Sequence, residues 1–384
     1  MTLAQPHSAR PRVAVLGTRG YPSFYGGFET LLRHLVPHLA ENGWSVDVYG
    51  RDSGAAQTCT QIEDNVRSIV TRGVERRTAS TLSYGLTSAL HATREKPDVA
   101  LIMNVANGFW LPALRARSIP TVVNVDGMEW ERAKWGKMAK RVFRAGAWMT
   151  GKVADHIVCD SSEIARRWRE EFSREGVFIP YGGSEPAEVR SSPGLTPHTY
   201  ALFVARFVPE NSVLEFVEAA EQISRTHEVV IVGSSGYGGP IEDLVRTRSS
   251  HNPHIHWKGH IADDVELFSL WANAGAYFHG HSVGGTNPAL VQAMACGAPT
   301  VARDTVYNRE VLDDAAVFTA AEPGKIAESM LAVLGDRTFQ GKLADAARDR
   351  QRSHYSWDSV CRRYDETLRM AMNPTSPTPL VRST

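Results

Sequence analysis

The sequence predicts two doubly wound α/β domains in tandem, on three observations. Short apolar runs rich in Val, Ile and Leu alternate with amphipathic stretches through residues 12–180, the pattern of a parallel sheet covered by helices on both faces. The same rhythm restarts near residue 199. Between the two lies Pro180–Pro197, "PYGGSEPAEVRSSPGLTP", whose Pro, Gly and Ser without periodicity have the composition of a linker. At 384 residues the chain exceeds one ordinary core, which favours two domains independently.

The first half supplies strand candidates at Arg12–Gly17, Ser45–Gly50, Val66–Val70, Asp98–Met103, Thr121–Val125 and His156–Cys159. The clearest helix is Phe28–Ala40, where Phe28, Leu31, Leu32, Leu35, Val36 and Leu39 recur at helical spacing and Pro37 predicts a kink. The second half supplies Tyr200–Ala205, Glu228–Gly233, His254–Trp257, Ala276–His279, Pro299–Ala302 and Ala315–Phe318. The division expected is a flexible start at 1–11, an N-terminal domain at 12–180, a linker at 181–198 and a C-terminal domain at 199–354. A helix at 355–372 packs back toward the N-terminal domain, and 373–384, "NPTSPTPLVRST", forms a disordered tail.

Composition excludes several functions. With 42 basic and 42 acidic residues the net charge is zero. The first 193 residues carry 25 Lys+Arg against 20 Asp+Glu, too mild an excess for a nucleic-acid surface. Cys59, Cys159, Cys296 and Cys361 form no C-x-x-C pair, and with no apolar run near the ~20 residues of a membrane span a cytoplasmic protein is expected. In "HNPHIHWKGHI", His254 and His256 share a strand face, but no Cys or carboxylate in the stretch completes a shell, so no metal is expected.

Two glycine-rich stretches carry the chemistry. The first strand runs into "GTRGYPSFYGGFET", with glycines at 17, 20, 26 and 27, and the second strand ends in Arg51. A dinucleotide site needs G-x-G-x-x-G and an acidic residue at that strand end, so an NAD-dependent enzyme is disfavoured. What remains is the pair Gly26-Gly27 at a helix mouth. Its counterpart, "HGHSVGGTNPALVQAMACG", puts Gly284 and Gly285 before a helix with Asn287 as N-cap, Pro288 in the first turn and Gly297 at the end. Free N–H groups and a positive dipole end suit a phosphate, yet no lysine follows as in an ATPase loop. One such loop on each wall of a cleft suits a diphosphate ligand.

The stretches "VAVLGTRGYPSFYGGFETLLRHL", "NVDGMEWERAKWGKMAKRVFR", "FVARFVPENS" and "HGHSVGGTNPALVQAMACG" resemble the rhamnosyltransferase-like branch of glycosyltransferase family 4, in order, from Arg12 to Met372. The resemblance implies a GT-B fold and a metal-independent, retaining transferase with no cofactor. Its donor would be a dTDP-6-deoxyhexose, rhamnose or a dihydrostreptose-like sugar. Its acceptor would be a soluble aminocyclitol or phosphate ester, or a lipid-linked saccharide, with at most peripheral membrane contact. A UDP- or GDP-hexose donor, and a nucleotide-sugar-binding protein without activity, are the alternatives.

Carried over by position, Arg206 binds the donor diphosphate, with Gly26, Gly27, Asn211, His281, Gly284, Gly285, Thr286 and Asn287 completing the diphosphate and sugar site. Asn211 stands where relatives carry a Lys. The E-x7-E signature falls on Gly284 and Gln292, and Gln292 at the ribose position favours a deoxyribose. The nucleoside falls to Gly233, Lys258, Gly259, His260, Ile261 and Gln292. Asp126 takes the place of a His that touches the reacting sugar, and Glu129 is a candidate base or acceptor contact. Arg132, Lys134 and Lys137, in the basic amphipathic stretch "RAKWGKMAKRVFR", are candidates for the acceptor.

Overall fold

The computed structural model describes residues 10–23, 26–51, 58–74, 80–132, 135–236 and 238–373. Residues 1–9, Lys134 and residues 374–384, for which a flexible start, an acceptor contact and a disordered tail are expected, lie outside them. Eight strands form the first sheet: β1 (Arg12–Leu16), β2 (Ser45–Arg51), β3 (Thr58–Glu63), β4 (Val66–Thr71), β5 (Val99–Met103), β6 (Thr121–Asn124), β7 (His156–Cys159) and β8 (Val177–Phe178). Their order is β3-β4-β2-β1-β5-β6-β7-β8. All pairs are parallel except β3–β4. The second sheet holds β9 (Ala201–Val204), β10 (Val229–Val232), β11 (Ile255–Trp257), β12 (Ala276–His279), β13 (Thr300–Arg303) and β14 (Ala316–Thr319). It is wholly parallel, in the order β11-β10-β9-β12-β13-β14.

In each sheet the strand order reverses beside the first strand, at β1 and at β9. Ligands of open parallel sheets bind at such switch points, outside the carboxyl ends of the strands. The loops that follow β1 and β9 carry Gly17–Gly27 and Arg206, so topology alone brings both stretches to the cleft. The strands are apolar because both faces are covered: β5 is buried at all five positions. Sequence reading does not find β3, whose six residues are all exposed and show no apolar face, or the two-residue β8. The helix Gly27–Glu41 runs through Pro37 without ending.

The chain crosses between the sheets twice, at 180–184 and again at 354–357, and the crossings are bonded together. Gly183 N–H donates to Tyr355 O at 3.0 Å, and Gln351 Nε2 donates to Gly183 O at 2.8 Å. A side chain at Gly182 would collide with the Trp357 ring. Residues 180–183 are buried, and the exposed, linker-like part of the segment begins at Glu185. Beyond the second crossing the helix Trp357–Met372 lies against the first sheet, with Val360, Tyr364 and Leu368 in the same core cluster as Leu31 and Leu35. The Trp357 ring stacks on His34 at 4.1 Å, and Asn124 Nδ2 donates to Tyr364 OH at 2.6 Å. Each large apolar side chain so covered is worth about 1.5–3 kcal/mol.

Candidate functional site

A cavity of about 320 Å³ opens between the carboxyl edges of the two sheets. Four arginines (Arg19, Arg51, Arg132, Arg206) and four carboxyl groups (Glu29, Asp126, Glu129, Asp160) line it, so the space is polar and suited to a charged ligand. Of the residues singled out in the sequence, it brings together Gly26, Gly27, Asp126, Glu129, Arg132, Arg206, His281, Gly284, Gly285, Thr286 and Asn287.

The C-terminal wall is built from main chain. Asn287 caps the helix Pro288–Cys296, its side chain accepting from Ala289 N–H, and Gly297 ends it at φ +71°. Among the described residues no hydrogen bond engages the N–H of Gly285 or of Asn287, which leaves two donors at the positive end of the helix. Arg206 follows β9 and is exposed to the cavity. The two glycines have a second use. A Cβ at Gly285 would overlap the Asp160 carboxyl, and one at Gly127 would lie 3.0 Å from Gly284 Cα. Both walls therefore touch through glycine. Gly27 likewise faces Pro288: a Cβ on it would lie 3.4 Å from Pro288 Cγ and 3.3 Å from Tyr181 OH.

The N-terminal wall is built from side chains. Asp126 follows β6 at φ +56°, a strained backbone for a residue other than glycine, held by Asn124 Oδ1 accepting from its N–H at 2.9 Å. Arg132 reaches Glu129 at 2.5 Å and Asp126 at 3.9 Å. Burial works against the Arg132 charge, but the charges of Asp126, Glu129 and Glu210 outweigh it and raise the pKa. The sheltered guanidinium is a fixed cation.

Several expected site residues have other partners in the structure. Glu129 has Arg132 on one oxygen and Trp135 Nε1 donating to the other at 2.8 Å; a carboxylate engaged on both sides is a support for Arg132 rather than a free base. Asn211 does not line the cavity. Its Nδ2 donates to Arg206 O at 2.8 Å and its Oδ1 lies 2.6 Å from His281 Nδ1, so it braces the two residues that do. Burial, then the neighbouring His279 ring and the charges of Arg132 and Arg206, keep the His281 pKa well below its usual value, and the ring is neutral at pH 7.

Gln292 is absent from the cavity too. Its Nε2 donates to Ser184 O at 2.6 Å and its Oε1 accepts from Ser184 N–H at 3.0 Å. The carboxamide clasps the crossing segment like one more strand residue, which removes the basis for a deoxyribose preference. Gly233, Lys258, Gly259, His260 and Ile261 also stand outside the cavity. Two of them meet, Gly233 N–H donating to Gly259 O at 2.6 Å. Lys137 is exposed at the start of the helix Lys137–Val153. A carboxylate does reach the histidine stretch: Glu228 takes His254 at 2.8 Å and His256 at 2.5 Å. It comes from the neighbouring strand region, beyond the reach of local spacing.

Sequence reading missed Arg19, Glu29, Asp160 and Tyr181. Asp160 was the most legible, because it follows β7 just as Asp126 follows β6. Glu29 is 5 % exposed and accepts from Arg19 N–H at 3.0 Å, which ties the helix Gly27–Glu41 to the loop before it.

Two family descriptions cover most of the chain. Residues 198–336 match glycosyl transferases group 1, and residues 10–184 match a domain of unknown function. A phosphatidyl-myo-inositol mannosyltransferase of Mycobacterium leprae is 27% identical over 213 residues, covering 52% of this chain and 55% of that protein. The chain thus spans about half the length of the curated relatives it matches. Among solved structures, sucrose-phosphate synthase from Thermosynechococcus elongatus superposes with a TM-score of 0.79 at 16% identity, over 95% of this chain and 100% of that one. Anabaena HepE in complex with UDP gives 0.69 at 14%, over 94% and 99%. Two Rossmann-like sheets facing across a cleft are the GT-B architecture, and this chain has it.

Proposed function

We propose that this GT-B chain, related through its C-terminal half to the group 1 glycosyl transferases, moves a hexose from a nucleotide-diphosphate sugar to an acceptor hydroxyl. The observation that carries the reading is the convergence of the Arg206 side chain and the open N–H groups at Gly285 and Asn287 on one cavity. A diphosphate leaving group gathers negative charge as the glycosidic bond breaks. A guanidinium and preorganised N–H donors stabilise that charge more strongly in the transition state than in the ground state. The C-terminal half then holds the donor and the N-terminal half the acceptor. Asp126, on the opposite wall, is placed to meet the sugar and the positive charge that develops on its ring. These chain residues carry the proposed chemistry without a metal or cofactor.

For the donor we favour a UDP- or GDP-hexose over a dTDP-6-deoxyhexose. Gln292 is engaged with Ser184 and supports no deoxyribose preference; the curated relative is a mannosyltransferase by name and HepE was solved with UDP. A lipid-linked acceptor is supported by the helix Lys137–Val153. There Met138 and Trp148, 71% and 54% exposed, lie on a face with Lys137, Arg141, Arg144 and Lys152, a combination suited to an anionic lipid surface. No helix of the described residues is long and apolar enough to cross a membrane.

The test is incubation with UDP-, GDP- and dTDP-hexoses, with and without lipid-linked acceptor, following release of the nucleoside diphosphate. Turnover with a UDP- or GDP-sugar is expected. Turnover confined to dTDP-6-deoxyhexoses would reverse the donor assignment, and tight binding without turnover of any donor would leave a binding protein instead.

A further inference from the structure

One carboxyl group in the cleft has no task in the scheme above. Asp160 is 2% exposed, lines the cavity, and its Oδ1 has no hydrogen-bond partner. Its position is fixed by its own main chain. The Asp160 carbonyl accepts from Thr286 N–H at 3.3 Å and from Thr286 Oγ1, which sets the carboxyl against Gly285 with no room for a side chain there. A buried polar oxygen without a partner is rare, and a ligand that completes it is one explanation. Here it stands against Gly285, in the loop that leads into the helix Pro288–Cys296, where the N–H groups of Gly285 and Asn287 are open.

We propose that Asp160, although it belongs to the N-terminal wall, binds the donor's diphosphate at Gly285–Asn287 by giving the hydrogen bond of its carboxyl O–H to a phosphate oxygen. The inference rests on the transferase reading above. An ionised carboxylate at this spot would repel a phosphate, whereas the neutral acid adds a third donor to the two N–H groups. The surroundings favour the neutral acid. Burial raises the Asp160 pKa well above the carboxylate range and the charges of Asp126 and Glu310 raise it further, against its own main-chain hydrogen bond and Arg132. The other titratable neighbours, Tyr181, Tyr364 and Cys159, are themselves pushed up, chiefly by burial, and are neutral at pH 7. A bound phosphate holds the proton more firmly, so nucleotide binding and protonation of Asp160 assist each other.

The experiment titrates UDP, GDP and dTDP separately into the full chain and into Asp160→Asn and Asp160→Ala by calorimetry, from pH 6.5 to 9. For the nucleotide that wild type binds best, affinity falls by up to about tenfold per pH unit above the Asp160 pKa. Asp160→Asn keeps an N–H donor, so it binds within a few-fold of wild type at pH 6.5 and lacks that fall. Asp160→Ala loses about tenfold at pH 6.5, the size of one hydrogen bond to a charged group. Equal or tighter binding by Asp160→Ala, or an unchanged pH slope in Asp160→Asn, overturns the proposal. Should either variant fail to fold, proton uptake by wild type decides: heats compared in two buffers of different ionisation enthalpy show net uptake above the Asp160 pKa, and no uptake overturns it. Failure of wild type to bind any of the three nucleotides overturns the transferase reading itself, whereas binding that ignores Asp160 overturns only this assignment.

Discussion

The two sheets share a topology and contribute opposite things to the cleft. The C-terminal wall offers main-chain donors at a helix end, with Arg206 as its cation and His281 beside it. The N-terminal wall offers side chains of both signs, Arg19, Glu29, Arg51, Asp126, Glu129, Arg132 and Asp160. Rigid N–H groups at a capped helix hold an anion with little reorganisation. A mixed set of carboxyls and guanidinia, from buried to exposed and with Asp126 on strained backbone, is where a reacting group can be oriented. On the proposed function, donor grip falls mainly to the C-terminal wall, with Asp160 reaching over to it, and reaction geometry to the rest of the N-terminal wall, so variants of Arg206 and Asp126 should separate.

The largest effect is expected on the C-terminal wall. Arg206→Ala removes the cation that the proposed function sets against the leaving group, and should lower kcat/KM by about 10²–10³-fold, or ~3–4 kcal/mol, in a steady-state assay of nucleotide release. A loss below tenfold would take the diphosphate away from Arg206. Gly285→Ala acts on both walls at once, since its Cβ overlaps the Asp160 carboxyl. Overpacking of this kind costs about 1–3 kcal/mol, read as a lower Tm together with reduced kcat/KM. An unchanged Tm and rate would mean that the walls do not meet there during turnover.

How much of this was legible follows the same division. The C-terminal loop is a local device: glycines, Asn287, Pro288 and Gly297 lie within one short stretch, and helix-end rules read them directly. The sheets were legible for a similar reason, because strands buried on both faces are continuous apolar runs. The N-terminal wall gathers residues from the ends of separate strands, and spacing along the chain does not reveal that Asp160 and Gly285 touch. Gln292 shows the converse. Its place in a motif suggested a nucleoside contact, while its partner, Ser184, lies 108 positions away. Only the crossing of the chain between sheets brings them together.

That reassignment has its own test. Gln292→Ala leaves Ser184 N–H and O without their partners, at about 1–3 kcal/mol, measurable as reduced stability to urea. The ratio of UDP to dTDP affinity should not change; a shift in that ratio would return Gln292 to the nucleoside site.

The smallest effect is a pH dependence of stability. Burial lowers the His34 pKa to about 4 and the His279 pKa to about 3; for His34 the nearby Arg33 charge adds to it. Both rings are neutral in the folded chain where the unfolded chain takes up protons, so their contribution is complete above pH ~6.5. It declines as pH falls toward 4 for His34, between the N-terminal domain and Trp357, and on toward 3 for His279, beneath the glycine loop. His34→Gln should flatten the first part of the decline in Tm between pH 6.5 and 4; an unaltered slope would remove His34 from it.

The division between the walls is tested most directly by nucleotide affinity in one variant from each. Calorimetric titration of UDP and GDP into Arg206→Ala and Asp126→Asn, beside wild type, isolates the anion grip from the reaction. Arg206→Ala should weaken binding by at least about tenfold, as loss of a charge-assisted contact does, while Asp126→Asn binds within about twofold of wild type and is slowed in transfer. Nucleotide binding that survives in Arg206→Ala and is lost in Asp126→Asn would contradict it.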